Sequence, residues 1–137
     1  MYTSTLIKKA ARLLEKKANV LLKPHNIMHG FTYFLMALYE QDGQTQTELQ
    51  KIIGIEQPTV VRTLDRMQRD GLIERKQSPT DRRVFHIYLT KKGLSCKDAV
   101  LSSAVNLNKL LLQPFSENEQ EIIRSYLKRL IDNLELN

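Results

Sequence analysis

Two groups of arginines have the spacing of a recognition surface. Residues 78–86 read SPTDRRVFH, with Arg82 and Arg83 adjacent and an acid just before them. Upstream, PTVVRTLDRMQRDG carries Arg62, Arg66 and Arg69 at intervals of one helical turn. A guanidinium is a permanently charged planar fork of N–H donors that pairs two-pronged with carboxylates, phosphates and the edge of guanine. The chemistry on offer is recognition of anions and flat acceptor edges. No nucleophile elbow, phosphate loop or paired-carboxylate pattern accompanies it, so neither an enzyme nor a cofactor is expected. His25 and His29 are four apart, but Pro24 and Asn26 interrupt the segment and no third ligand is near, so no metal site is expected. Cys96 has Lys97 beside it but no second cysteine to resolve a sulfenic acid, and is read as a packed residue.

The chain is long enough, at 137 residues, for one domain with a core, and its 42% hydrophobic and 26% charged content is that of a folded protein. No apolar run approaches the ~18–20 residues of a membrane span. The N-terminus lacks the apolar block of a signal peptide, and a single cysteine suits a reducing cytosol, so a cytoplasmic protein is expected. The formal charge of +6 is uneven: residues 62–92 hold nine Lys/Arg against four acids, residues 1–61 net +2 and residues 93–137 net −1. The arginine-bearing segment therefore carries most of the excess, which points to an anionic partner.

The elements that must position these arginines can be read from periodicity. Residues 4–22 repeat apolar positions at helical spacing, and KPHN breaks the pattern. Residues 27–41 predict a mostly apolar helix stopped at Asp42–Gly43. Residues 45–53 predict a short helix with Thr45 or Thr47 as N-cap and Gly54 at its end, and a brief turn leads to a helix from Pro58 to Gly71. Two helices so joined form a helix-turn-helix. The period then changes to two: LIERKQ and VFHIYLT predict strands, with SPTDRR as the hairpin loop. Residues 91–112 predict one helix, and Ser116 with Glu119 forms a capping box opening the last. The fold class expected is mainly α with a small β-hairpin wing.

On the helix after Pro58, Val60, Leu64 and Met67 share one narrow sector, and Arg62, Arg66 and Arg69 lie about half a turn away. The plainer interpretation is a solvated face whose arginines pair with Asp65 and Asp70. The hairpin favours the other: a helix-turn-helix followed at once by a hairpin is a winged helix. Such a helix fits the DNA major groove, and a wing tip beside it reaches the minor groove, whose negative potential draws arginine. Asp81 is positioned to pair with Arg83 and fix its angle.

IEQPTVVRTLDRMQRDGLIERK, then DRR, then YLTKKG, together resemble the MarR family of winged-helix regulators, nearest in wording to its SlyA branch. The element order carries the resemblance along nearly the whole chain, most specifically from Thr45 to Gly93. It implies a homodimer on palindromic double-stranded promoter DNA, acting as repressor or anti-silencing activator, and in many members released by small aromatic or phenolic anions. It implies a recognition helix using Gln57, Pro58, Thr59, Arg62, Thr63 and Arg66. Phosphate contacts would come from Thr45, Gln46 and Thr47, and wing contacts from Asp81, Arg82 and Arg83. Residues 28–92 would form the DNA-binding lobe of a single 1–137 domain, with 1–22 and 93–137 as dimerisation helices. Met28 stands where many members begin the second helix with Thr or Ser, and Gly30 loosens that turn. His29, Tyr33 and Tyr39 are candidates for an effector cleft. Leu107, Leu110, Leu111, Ile122, Ile123, Leu127, Leu130 and Ile131 form stripes that need burial, which a symmetric dimer supplies.

Overall fold

A computed structural model describes residues 1–137. Seven helices and one hairpin follow in order: α1 (Thr3–Leu22), α2 (His29–Glu40), α3 (Gln46–Ile53), α4 (Gln57–Arg69), β1 (Ile73–Gln77), β2 (Phe85–Leu89), α5 (Lys91–Ser95), α6 (Lys97–Leu112) and α7 (Glu117–Leu136), with a 3-10 turn at Lys23–His25. The chain divides into two compact units, Met1–Ala104 and Val105–Asn137. Residues 28–92 all fall in the first unit, and the division between the units lies inside α6.

The core of the first unit gathers the inward faces of α2, α3, α4 and the hairpin. Phe34, Leu35, Leu38, Leu49, Val60, Leu64, Met67, Ile73 and Ile87 are essentially inaccessible to solvent. Each such side chain contributes about 1.5–3 kcal/mol through burial. β1 and β2 pair antiparallel, Ile73 opposite Leu89 and Gln77 opposite Phe85.

Three local features depart from periodicity. The hairpin has a third edge: Gly43 N–H donates to Ile87 O (3.0 Å), Ile87 N–H donates to Gln44 O (2.8 Å), and Thr45 bridges to His86. So short a segment has no alternation to read. Second, α2 starts at His29 instead of residue 27, because Ile27 turns into the core. Met28 cannot cap it, and Asn19 Oδ1 on α1 accepts the His29 N–H at 2.9 Å. Third, the helix expected over 91–112 is split at Cys96. Lys92 O, the carbonyl Cys96 N–H would bond in a continuous helix, instead accepts the Ser95 hydroxyl (2.6 Å) and the Cys96 thiol (3.3 Å). Cys96 N–H bonds to Gly93 O, and the last turn of α5 tightens.

Gly93 is the close-packed point of the lobe. It is buried, and an added Cβ would run into the backbone carbonyl of Leu72. That carbonyl accepts Thr90 N–H (3.1 Å), while Tyr39 Oη donates to Gly93 O across the same contact (2.7 Å). Gly93→Ala is expected to lower unfolding free energy by about 2–4 kcal/mol in urea titrations. Gly30→Ala, where nothing lies within 4 Å of the new Cβ, is the control and should be neutral or stabilising by up to about 1 kcal/mol. Equal stability of both variants would remove Gly93 from this role.

In the second unit, Ser116 and Glu119 form the expected capping box, at 3.2 and 3.0 Å. Gln120 Nε2 donates to Leu112 O (3.2 Å) and Phe115 O (3.1 Å), closing the turn before α7. No residue of α7 is buried.

Candidate nucleic-acid interface

α3 opens on Thr45, whose Oγ1 accepts Glu48 N–H at 3.1 Å. Gln46 and Thr47 form the first turn behind it, half-buried and exposed respectively. A helix N-terminus there presents unpaired N–H groups suited to an anion. Gly54, at φ +73°, ends α3 in the left-handed conformation and directs the chain into α4.

α4 is anchored as its periodicity predicts: Val60, Leu64 and Met67 are wholly buried. Gln57, Pro58, Thr59, Arg62, Arg66 and Arg69 are exposed, with Pro58 in the first turn. Thr63 differs from its neighbours. It is half-buried, and its hydroxyl donates back to Thr59 O at 2.7 Å, so that proton is committed to the helix. The pairing of the helix arginines with Asp65 and Asp70 does not occur. Asp65 is held by Arg75 at 2.7 Å, and Asp70 makes no ion pair. Arg66 Nη2 donates to Met28 Sδ at 3.1 Å. Arg62 and Arg69 carry no acidic partner.

The wing tip is built from its own hydrogen bonds. Ser78 N–H donates to Val84 O (2.8 Å), and Gln77 Nε2 donates to Arg82 O (2.7 Å). Asp81 accepts both the backbone N–H of Arg83 (3.0 Å) and its Nε–H (3.3 Å). The pair expected at the tip is therefore present. The backbone bond first, and the guanidinium second, hold the Asp81 carboxyl below its ordinary value. The Arg83 side chain stays 90% exposed at that angle, and the Arg82 side chain is also exposed.

The three effector candidates separate. His29 Nε2 and Tyr33 Oη lie 3.1 Å apart, with ring centroids at 5.1 Å in an edge arrangement. Beside the start of α2 is an open depression of about 360 Å³ lined by Asn19, Lys23, Asn26, Ile27 and Met28. Tyr39 lies about 120° around the helix from Tyr33, and its hydroxyl is engaged by Gly93 O. Burial, and secondarily the nearby Cys96 thiol, pushes Tyr39 up to about 12. Sequence reasoning missed Arg75 and Gln44. Arg75 had a signal: a charge on the inward register of an alternating strand. Gln44 had none, and its amide satisfies Ala37 O (2.9 Å) and Gln41 O (2.8 Å) from a buried position.

A helix-turn-helix whose second helix presents unpaired arginines, followed by a hairpin with a basic tip, defines a winged helix-turn-helix of the DNA-binding kind. The family model for MarR matches residues 33–85. The uncharacterized HTH-type transcriptional regulator YwoH of Bacillus subtilis (strain 168) is 30% identical over 124 residues, 90% of this chain and 89% of that protein. Among solved structures, the S. aureus MepR–DNA complex superposes with a TM-score of 0.90 at 27% identity, over 97% of this chain and 98% of that one. The transcriptional regulator SlyA gives 0.89 at 25% identity, over 98% and 94%. The chain belongs to the MarR family: it is a DNA-binding transcriptional regulator and not an enzyme. No helix is long and apolar enough to cross a membrane.

The depressed Asp81 carboxyl makes a pH prediction. A folded value below the unfolded one means the tip contact is complete above the ordinary aspartate range near ~3.9 and is lost as pH falls through the folded value. The Arg83 amide resonance should therefore stay constant on acidification until below that range, then shift. A midpoint at or above the ordinary value would show that the contact does not persist in solution.

Proposed function

We propose that this protein is a cytoplasmic homodimer that binds palindromic double-stranded promoter DNA, acting as a repressor or as an activator that lifts silencing. The observation that carries this is the division of α4, with one face wholly buried and the opposite face bearing Arg62, Arg66 and Arg69 without an acidic partner. In this reading Gln57, Pro58, Thr59, Arg62 and Arg66 meet base edges and phosphates in the major groove. Thr63 contributes its methyl or its lone pairs, since its proton is committed. Thr45, Gln46 and Thr47 meet phosphate, and Arg82 and Arg83 meet the minor groove and its flanking backbone, with Asp81 aiming Arg83. The 27%-identical MepR, solved with DNA, supports this assignment.

Dimerisation is supported by uncovered apolar stripes. Leu6 and Leu13 on α1, and Ile122, Leu127 and Ile131 on α7, are about half exposed or nearly so in the single chain. Stripes of that extent on isolated amphipathic helices mark an interaction surface. A two-fold axis then sets two recognition helices about 34 Å apart, one DNA turn. Release by a small aromatic or phenolic anion is assigned to the His29–Tyr33 pair and the adjacent depression, where Lys23 supplies positive charge. Met28, in that lining, touches Arg66 of the recognition helix.

Fluorescence anisotropy on a duplex selected by the protein from random-sequence DNA, against a scrambled control, tests the reading. Binding should weaken steeply with salt as counterions are released. Arg62→Ala should cost about 1–3 kcal/mol and relax sequence preference. Equal losses on both duplexes would assign Arg62 to phosphate, and no loss would end the base-reading assignment. Sedimentation should give twice the 15.9 kDa chain mass at micromolar concentration; a folded monomer would overturn the two-half-site geometry.

A further inference from the structure

Arg75 occupies a register where an apolar residue is expected. Along β1 the inward position Ile73 is buried and its neighbours Glu74 and Lys76 are exposed. Arg75 lies on the Ile73 side, and its side chain is only 18% exposed. A charge drawn that far from water requires strong partners. It has three, all on α4: Nη1 donates to Asp65 Oδ1 at 2.7 Å and to Gln68 Oε1 at 3.4 Å, and Nη2 donates to Val61 O at 3.3 Å. Those acceptors succeed one another at helical spacings of four and three, so the guanidinium spans two turns of the helix and resists both rotation and sliding. A lysine, with one point of charge, cannot span them together.

The second consequence is electrostatic. Asp65 lies three residues after Arg62 and four before Arg69, both ordinary pairing distances on a helix. It pairs with neither, because Arg75 holds it. Its side chain is 60% exposed. Freed, it would draw Arg62 or Arg69 onto the helix surface and repel phosphate.

We propose that Arg75 is the positioning residue of the interface: it fastens the wing to the recognition helix and, by occupying Asp65, leaves Arg62 and Arg69 available to DNA. This rests on the DNA-reading role assigned to α4 above. The test uses the full chain and the selected and scrambled duplexes, with wild type, Arg75→Met, Arg75→Lys, Asp65→Asn, Arg75→Met/Asp65→Asn and Arg62→Ala. Methionine keeps the stem's packing and removes the fork. Arg75→Met should lower the selected-over-scrambled preference about tenfold (~1.4 kcal/mol). Adding Asp65→Asn should recover about threefold of that loss, because the unpaired charge is gone. A role limited to stability predicts no such recovery, since the double variant lacks both partners. Arg75→Lys should fall between wild type and Arg75→Met. A preference in Arg75→Met within about twofold of wild type, or no recovery in the double variant, overturns the proposal. Should Arg75→Met fail to fold, Arg75→Lys decides: about a threefold loss of preference supports the proposal, and wild-type preference overturns it. Arg62→Ala separates the two levels. If it binds as wild type, base reading by α4 has failed, and Arg75 is then judged on flank composition: Arg82 and Arg83 in a minor groove would favour A·T-rich flanks, and Arg75→Met should lose that preference.

Discussion

The outward face of α4 is usable because its inward face is immobile. Val60, Leu64 and Met67 are wholly buried against a core that α2, α3 and the hairpin complete. Interiors packed at crystal-like density do not let such a helix turn about its axis. The directions of Arg62, Arg66 and Arg69 are thus set by side chains that never meet a ligand. The helix is also polar overall on its solvent side, so outside this core it would have no reason to persist at 13 residues.

Polar groups within the lobe mostly satisfy backbone atoms at the ends of elements. Gln44 takes two carbonyls at the end of α2, Thr90 Oγ1 donates to Gly71 O at 2.5 Å, and Lys92 Nζ donates to Asp70 O at 2.7 Å. His86 Nδ1 lies 2.8 Å from Gly43 O, and the Asp42 carboxylate accepts Leu89 N–H at 2.9 Å. No buried side-chain polar atom is left without a partner. Each bond adds only about 1 kcal/mol net, but leaving a buried group unpaired costs more. These contacts therefore specify where the hairpin and α5 meet the helices more than they add stability. Arg75 belongs with them by geometry and stands apart because one of its acceptors is a carboxylate, that of Asp65.

The charged and the apolar exposed surfaces follow different physical rules. The solvent face of α4 and the wing tip gather cations whose mutual repulsion is tolerable in water and would be relieved by a polyanion. α1 and α7 each carry exposed apolar side chains, whose contact with water is unfavourable. The Asp81–Arg83 contact mediates at small scale, holding a highly exposed cation at one angle without burying it.

Much of the fold was legible because it rests on local physics. The 3.6-residue period of α4, the change to period two after Gly71, the Ser116–Glu119 capping box and the Asp81–Arg83 tip depend on residues close in the chain, and sequence alone determined them. The family wording, from IEQP to YLTKKG, carried the class of function with it. Tertiary structure decided what depends on partners distant in sequence. Asn19 caps α2 because α1 lies beside it, residues 43–45 become a sheet edge because Ile87 is there to pair, and Tyr39 bonds to Gly93 across 54 positions. It also decided which acid holds which arginine. Spacing on α4 made Asp65 a partner for Arg62 or Arg69, but the hairpin brings Arg75 to it from a less solvated position. A charge with less water to lose to is the stronger competitor, and no one-dimensional pattern reports that depth.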